Sequence, residues 1–305
     1  MQTNLTILGG NGFVGGNYVK HFYDPAVGNI ASVNARDDYE VHSKDVLNFI
    51  STVTNYNVFE QVLLDINTNL ITLMRILENW RKRSDSDEGV FNFISSWFVY
   101  GEQPSPLSVR EDAHCNPRGF YSITKRCAEQ LLISYCETYN LHYRILRLGN
   151  VLGPGDKKVG AKKNALQYMI NLLAANKPIE IYGNGLFHRD YIHVDDCVRA
   201  IDLVIAKGEV DNIYNIGNGV GKFTSAFRDI IMYAARELRS GSVITYVPAK
   251  KFHSIVQVAT FGMDVSKLWA LGYVPEYVGS RLYDTLLPII DVEGIIHQPQ
   301  RKELL

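Results

Sequence analysis

The sequence predicts an α/β fold, a Rossmann-type doubly wound parallel sheet with a smaller C-terminal subdomain. Three observations predict it. Short apolar runs alternate with helix-periodic stretches through the first half of the chain, the rhythm of βαβ units. A glycine-rich turn follows the first apolar run directly and opens a helix. Beyond Gly153-Pro154-Gly155-Asp156 the pattern loosens into shorter elements.

The elements follow in order. Leu5 to Leu8 reads as a buried strand and Phe13 to Phe22 as a helix. Ile30 to Val33 and Val46 to Ile50 read as strands, and Leu63 to Trp80 keeps a helical period throughout. After the polar turn from Ser84 to Gly89, Val90 to Ile94 is a strand ending in Ser95-Ser96. Tyr121 to Tyr139 is a helix with apolar positions at Cys127, Ala128, Leu131, Leu132 and Tyr135, and Tyr143 to Leu148 is a further strand. A helix from Ala165 to Ala175, a strand from Ile179 to Tyr182 and a helix from Val194 to Ala206 precede Ile213 to Ile216, a strand returning to the sheet. The expected organisation is a first domain of residues 1–155, rejoined by 190–217, with 156–189 and 218–305 forming the smaller subdomain.

Composition limits the partners. A chain of 305 residues with 46% hydrophobic content can bury a substantial core. A net charge of −1 gives no broad electrostatic grip on nucleic acid or an anionic membrane, and no apolar run is long enough to span a bilayer. The four cysteines show no metal spacing, and Cys127 and Cys197 fall in helices where cysteine acts as a small buried hydrophobe. Reduced thiols and an N-terminus without a basic leader give a cytoplasmic location as the expectation. No histidine stands at ligand spacing from another, so no metal site is expected.

Chemistry concentrates in three segments. Gly9-Gly10-Asn11-Gly12-Phe13-Val14-Gly15 lets the backbone turn sharply and approach a pyrophosphate at a helix N-terminus. Its spacing is G-x-x-G-x-x-G rather than G-x-G-x-x-G, and the plainer reading is a glycine turn without a ligand. Tyr121 and Lys125 stand at i and i+4 on one helix face. An ammonium beside a phenol favours the phenolate, which makes tyrosine a general acid/base near neutrality. In a chain with 18 tyrosines the spacing alone is weak, and a solvated surface pair explains it equally. Ser95-Ser96 closes the strand upstream of Tyr121, where a hydroxyl can bond a reacting oxygen or merely cap the strand.

Taken together, these segments resemble the extended short-chain dehydrogenase/reductase proteins, the NAD-dependent epimerase/dehydratase family that modifies nucleotide sugars. Asn69-Leu70-Ile71-Thr72 with Leu77-Glu78 resembles the family's N-V-x-G-T…L-L-E helix, and Leu146 to Gly155 its L-R-x-x-N-V-Y-G-P-G stretch. Ile181-Tyr182-Gly183-Asn184-Gly185 followed by Arg189-Asp190-Tyr191-Ile192-His193-Val194-Asp195-Asp196 is similar to I-Y-G-D-G…R-D-[YFW]-I-H-V-x-D, and Tyr214 to Gly219 to Y-N-I-G-x-G. The resemblance implies roles. Tyr121 is the acid/base, Lys125 its partner and a ribose ligand, and Ser96 the hydroxyl positioner. Gly9, Gly12, Phe13, Val14, Gly15, Asn34, Arg36 and Asn69 join Tyr121 and Lys125 in holding NAD(P). Asn150, Arg189 and Ser96 hold a nucleotide-sugar substrate, and His193 and Asp195 organise a loop and cap a helix. The C-terminal subdomain binds substrate, and the helices Leu63–Trp80 and Tyr121–Tyr139 form a homodimer contact, although packing on the sheet also explains their apolar positions.

Three departures shape the expected function. The second strand ends at Asn34 without the carboxylate that holds the ribose of NAD; Arg36 just beyond suits a 2′-phosphate, which leans towards NADP(H), while Asp37 or Asp38 can still serve NAD. The segment from Arg36 to Val46 is short, so a helix usual in the family is missing, and Phe49-Ile50-Ser51-Thr52 replaces an H-L-A-A run. Trp97 and Phe98 stand where the family's dehydratases carry an Asp-Glu pair, and no cysteine of the fucose-synthase type is present; Cys115 and His114 read as structural. The expectation is a nucleoside-diphosphate-sugar 4-epimerase, with an NADPH-dependent 4-ketoreductase and a non-catalytic dinucleotide sensor as alternatives.

Overall fold

A computed structural model describes residues 4–23, 30–34, 39–156, 164–219, 225–287, 289–290 and 296–297. Arg36, Asp37 and Asp38 lie outside the described residues. The strands β1 (Leu5–Leu8), β2 (Ile30–Asn34), β3 (Asp45–Asn48), β4 (Val90–Ser96) and β5 (His142–Leu148) are followed by the short β6 (Asn150–Leu152), β7 (Ile179–Tyr182), β8 (His188–Arg189) and β9 (Tyr191–His193), and then by β10 (Asn212–Ile216). The helices are α1 (Phe13–Phe22), α2 (Leu64–Ile66), α3 (Thr72–Arg81), α4 (Phe120–Tyr139), α5 (Ala165–Ala174), α6 (Val194–Lys207), α7 (Phe227–Glu237) and α8 (Lys251–Val256).

Six strands form one parallel sheet in the order β10-β5-β4-β3-β1-β2. The chain runs outward from β1 to β2, then crosses back to lay β3 on the other side of β1. That reversal opens a crevice beyond the carboxyl ends of β1 and β3, where doubly wound sheets bind ligands. The described part of the link before β3, residues 39–44, carries no helix, as the short segment predicts. The returning strand also falls where expected, at the edge beside β5.

Alternating side chains divide the core. Leu5, Ile7, Leu146 and Leu148 pack on one face with Tyr18 of α1 and Cys197 and Ile201 of α6. Leu8, Val46, Phe91, Phe93 and Ile145 pack on the other with Ile76, Leu77 and Trp80 of α3 and Ala128 and Leu132 of α4. A third core joins α5, α7 and β7 through Ile170, Ile181 and Ile231 and reaches Leu282. Cys197 is buried as expected, whereas Cys127 is only half-buried.

One element departs from the sequence pattern. The helix expected from Leu63 to Trp80 runs continuously from Leu64 to Arg81, but a π turn over Asn67–Ile71 separates α2 from α3. The cause is polar. The buried Asn69 amide donates to Thr52 and Thr124 hydroxyls at 2.9 Å each, and its oxygen accepts the Thr52 N–H at 3.0 Å. Apolar periodicity carries no trace of such a wedge, and π turns of this kind collect near functional sites.

Candidate active site

The loop after β1 is a tight cradle. Gly9 takes φ +76, and a Cβ there would stand 3.0 Å from the Ile50 backbone nitrogen; one on Gly15 would stand 2.6 Å from the Gly9 oxygen. The Gly12 N–H donates to the Gly9 carbonyl at 3.0 Å. Gly12 then caps α1 without a side-chain bond, and the first turn holds no acidic residue. The unsatisfied N–H groups and positive end of the helix dipole therefore face the crevice. This fits a pyrophosphate, for which the side chains of any other residue would leave no room.

The crevice widens into a cavity of about 2190 Å³. Gly9, Gly12, Phe13, Val14 and Gly15 line one end, and Ser96, Tyr121, Lys125, Asn150 and Arg189 line it further along. The end of β4 and the start of α4 meet there. The Ser96 hydroxyl accepts the Phe98 N–H at 3.3 Å and stands near the Tyr121 phenol, favouring its ionised form. Phe98 meets the Tyr121 ring edge-on at 6.1 Å and stacks on Trp97 at 4.1 Å. Burial pushes the Tyr121 phenol up to about 12, Ser96 opposes the rise, and the nearby Asp65 carboxylate adds to it.

Lys125 lines the same cavity from α4. Its Nζ donates to the Ile94 carbonyl at 2.6 Å and lies 4.0 Å from the Phe93 ring centre. Burial brings the ammonium down to about 7, against the favourable charge of Glu129. The lysine shares the cavity wall with Tyr121, one helical turn along α4, and Ser96 and Asp65 also act on the phenol.

Arg189 is buried with its guanidinium between the Trp97 and Phe187 rings, at 5.4 and 5.0 Å. Its Nη1 donates to the His188 and Ala259 carbonyls. No carboxylate among the described residues forms an ion pair with it, and burial lowers it to about 10. A desolvated cation without a counter-ion on a cavity wall is suited to an anionic ligand. Asn150 lies beside it and donates to the Asp190 carbonyl at 3.3 Å. His193 caps α6 by accepting the Asp195 N–H at 3.2 Å and stacks on Tyr277 at 3.8 Å.

Asn69 does not line the cavity. Its amide bonds Ser51, Thr52 and Thr124, so it fixes the loop after β3 against α4. Arg36 lies outside the described residues. Asn34 closes β2 at the far side of β1. Several residues were missed from sequence. Asp190 gathers the N–H groups of Asn218, Gly219 and Met263 at 2.9, 3.3 and 3.1 Å, tying β10's loop to the loop before β9; burial pushes its carboxyl up to about 6. It stood inside a quoted motif without a role. Glu129, one turn beyond Lys125, shows the same periodic signal. Tyr56 and His253, bonded at 2.9 Å across the cavity rim, carry no signal at all, being remote in sequence.

The sheet, the glycine cradle and the Ser96–Tyr121 pair meet a family-level match. The model of the NAD dependent epimerase/dehydratase family matches residues 39–217. The chain belongs to this family. It is 27% identical over 305 aligned residues to the low-salt glycan biosynthesis protein Agl12 of Haloferax volcanii, covering 90% of this chain and 94% of that one. It is 28% identical over 297 to a putative UDP-glucose 4-epimerase of Methanocaldococcus jannaschii, covering 89% and 93%. Other relatives are named as dTDP-glucose 4,6-dehydratases. The solved UDP-glucose 4-epimerase of Thermotoga maritima superposes with a TM-score of 0.77 at 22% identity, over 93% of this chain and 96% of that chain, a likeness of fold. Among the described residues no helix of this family member is long and apolar enough to cross a membrane.

The bonding of Asn69 yields a test. Asn69→Ala leaves the buried Thr52 N–H without its acceptor and should lower unfolding stability by roughly 1–3 kcal/mol in urea titrations. Unchanged stability with weakened cofactor binding would restore Asn69 as a direct ligand.

Proposed function

We propose that the protein is a nucleoside-diphosphate-sugar 4-epimerase acting through a 4-keto sugar. The observation that carries this reading is Tyr121 beside Ser96 and Phe98, in one cavity with Lys125, the glycine cradle and the buried Arg189. Trp97 and Phe98 carry no group that can move a proton at C5 or expel water from C5–C6. That supports chemistry at a single carbon.

A nicotinamide dinucleotide, NAD(P), held by Gly9, Gly12, Phe13, Val14, Gly15, Asn34, Arg36 and Lys125, supplies the hydride acceptor and donor. The chain's own groups do the rest. Tyr121 takes the C4 hydroxyl proton and later returns one, while Ser96 holds the reacting oxygen. Lys125 binds the ribose and offers positive charge beside the phenol. Arg189 and Asn150 grip the sugar nucleotide, with the planar guanidinium suited to a diphosphate. Rotation of the 4-keto sugar before reduction inverts C4. A second reading, an NADPH-dependent 4-ketoreductase, is favoured by Arg36 just beyond β2, whose charge suits a 2′-phosphate.

In this reading, residues 1–155 with 190–217 form the cofactor domain, and 156–189 with 218–305 complete the substrate site. The apolar Ile71, Ile123 and Leu131 are exposed on the π turn and α4, which supports a homodimer through these helices.

Tyr121→Phe keeps the ring and removes the proton relay, so turnover of UDP- and dTDP-hexoses should fall about a hundredfold or more; near-native rates would refute the mechanism. For Arg189→Ala, calorimetry should show a roughly ten- to a hundredfold weaker sugar nucleotide and an unchanged cofactor, and the opposite pattern would reassign the site. Arg36→Ala should weaken NADP(H) and spare NAD(H) in fluorescence titrations. Equal losses of both cofactors would count against a 2′-phosphate contact.

A further inference from the structure

The carboxyl end of β4 is fastened to α4 at successive residues. The Ile94 carbonyl accepts from Lys125 Nζ at 2.6 Å and the Ser95 hydroxyl donates to Glu129 Oε1 at 2.6 Å, while Ser96 stands near Tyr121. The Ser95–Glu129 contact has no part in the proposed mechanism. Glu129 is fully buried, and Arg147 of β5 grips it with a fork, Nε to Oε1 at 3.0 Å and Nη2 to Oε2 at 2.8 Å. Arg126 adds a further bond to Oε2 at 2.8 Å. Arg147 is itself buried, donates to the Glu111 carbonyl at 3.0 Å and lies 4.6 Å over the Tyr100 ring.

We propose that Glu129 is a positioning residue for the Ser96–Tyr121–Lys125 set, anchored from behind by Arg147 and acting through Ser95 and Lys125. Ser95 and Ser96 are adjacent on an extended strand, so fixing the Ser95 hydroxyl on one side of the sheet end fixes the direction of Ser96 on the other. The same carboxylate stands one helical turn from Lys125. Its negative charge favours the ammonium in a place where desolvation opposes it. Groups around the lysine are few. On α4 they are Tyr121 and Glu129, on β4 the Ile94 carbonyl and Phe93 ring, and on β5 the paired Arg147; Asp65 of α2 acts on the phenol. Glu129 is thus the one acidic group whose charge is felt at Lys125 among the described residues.

The inference rests on the proposed roles of Ser96, Tyr121 and Lys125, but its test reads the lysine itself. With lysine carbon-13-labelled at Cε, the Lys125 resonance of the 305-residue chain, assigned by its loss in Lys125→Met, should titrate near 7. Glu129→Gln/Arg147→Met removes both charges and leaves no unpaired buried ion, a replacement that cores tolerate. Because the lost arginine charge offsets the lost carboxylate, this variant should move the midpoint less than Glu129→Gln does. Glu129→Gln alone should move it lower by about one pH unit. Ser95→Ala, which shifts no charge, should leave the midpoint in place. A midpoint unmoved in Glu129→Gln, or moved equally by Ser95→Ala, overturns the inference. If the midpoint follows Glu129 while Tyr121→Phe stays active, the mechanism falls and the electrostatic link stands; an inactive Tyr121→Phe with an unmoved midpoint gives the reverse.

Discussion

The docking of the β4 carboxyl end onto the first turns of α4 orders the rest of the site. A parallel strand presents side chains alternately to its two faces, so a strand end left free would let Ser96 swing. Here Ile94 and Ser95 each hold a partner on one helix, and Ser96 stands near Tyr121 of the same helix. The helix in turn packs Ala128 and Leu132 against Phe91, Phe93 and Ile145 of the sheet. The apolar core thereby sets the helix position, and the polar contacts set its register.

Burial then decides which charges matter. Lys125 and Arg189 sit where water is excluded, and both cations are pulled below their ordinary values by desolvation. Their responses differ because their surroundings differ. Lys125 has Glu129 to retain part of its charge, whereas Arg189 has aromatic faces and carbonyls, with no ion-pair partner among the described residues. The first arrangement is balanced internally. The second suits an anion, such as the sugar nucleotide of the proposed reaction.

Much of this was legible in the sequence, and the parts that were not have a common cause. The strand Leu5–Leu8, the helix Phe13–Phe22 and the strand Ile179–Tyr182 fall where their patterns place them, because apolar periodicity reports burial directly. The glycine cradle was readable because only glycine takes φ +76 at Gly9 without strain. The π turn at Asn67–Ile71, the Lys125–Ile94 bond and the Tyr56–His253 bond across the rim were not readable. Each depends on a polar partner distant in sequence, and periodicity says nothing of where a hydrogen-bonding side chain points. Asp190 shows the intermediate case: its motif was visible, while its role in gathering three backbone N–H groups required the fold.

In the proposed reaction hydride and proton move at one sugar carbon, because aromatic rings stand at Trp97 and Phe98 beside Tyr121. Turnover of a UDP- or dTDP-hexose in deuterium oxide, with the product analysed by mass spectrometry and proton NMR, puts this to the test. The expected product is inverted at C4 with no deuterium bound to carbon, since hydride returns from the cofactor and the only solvent proton exchanged is on oxygen. Deuterium at C5 or C6, or a 6-deoxy-4-keto product, would contradict it.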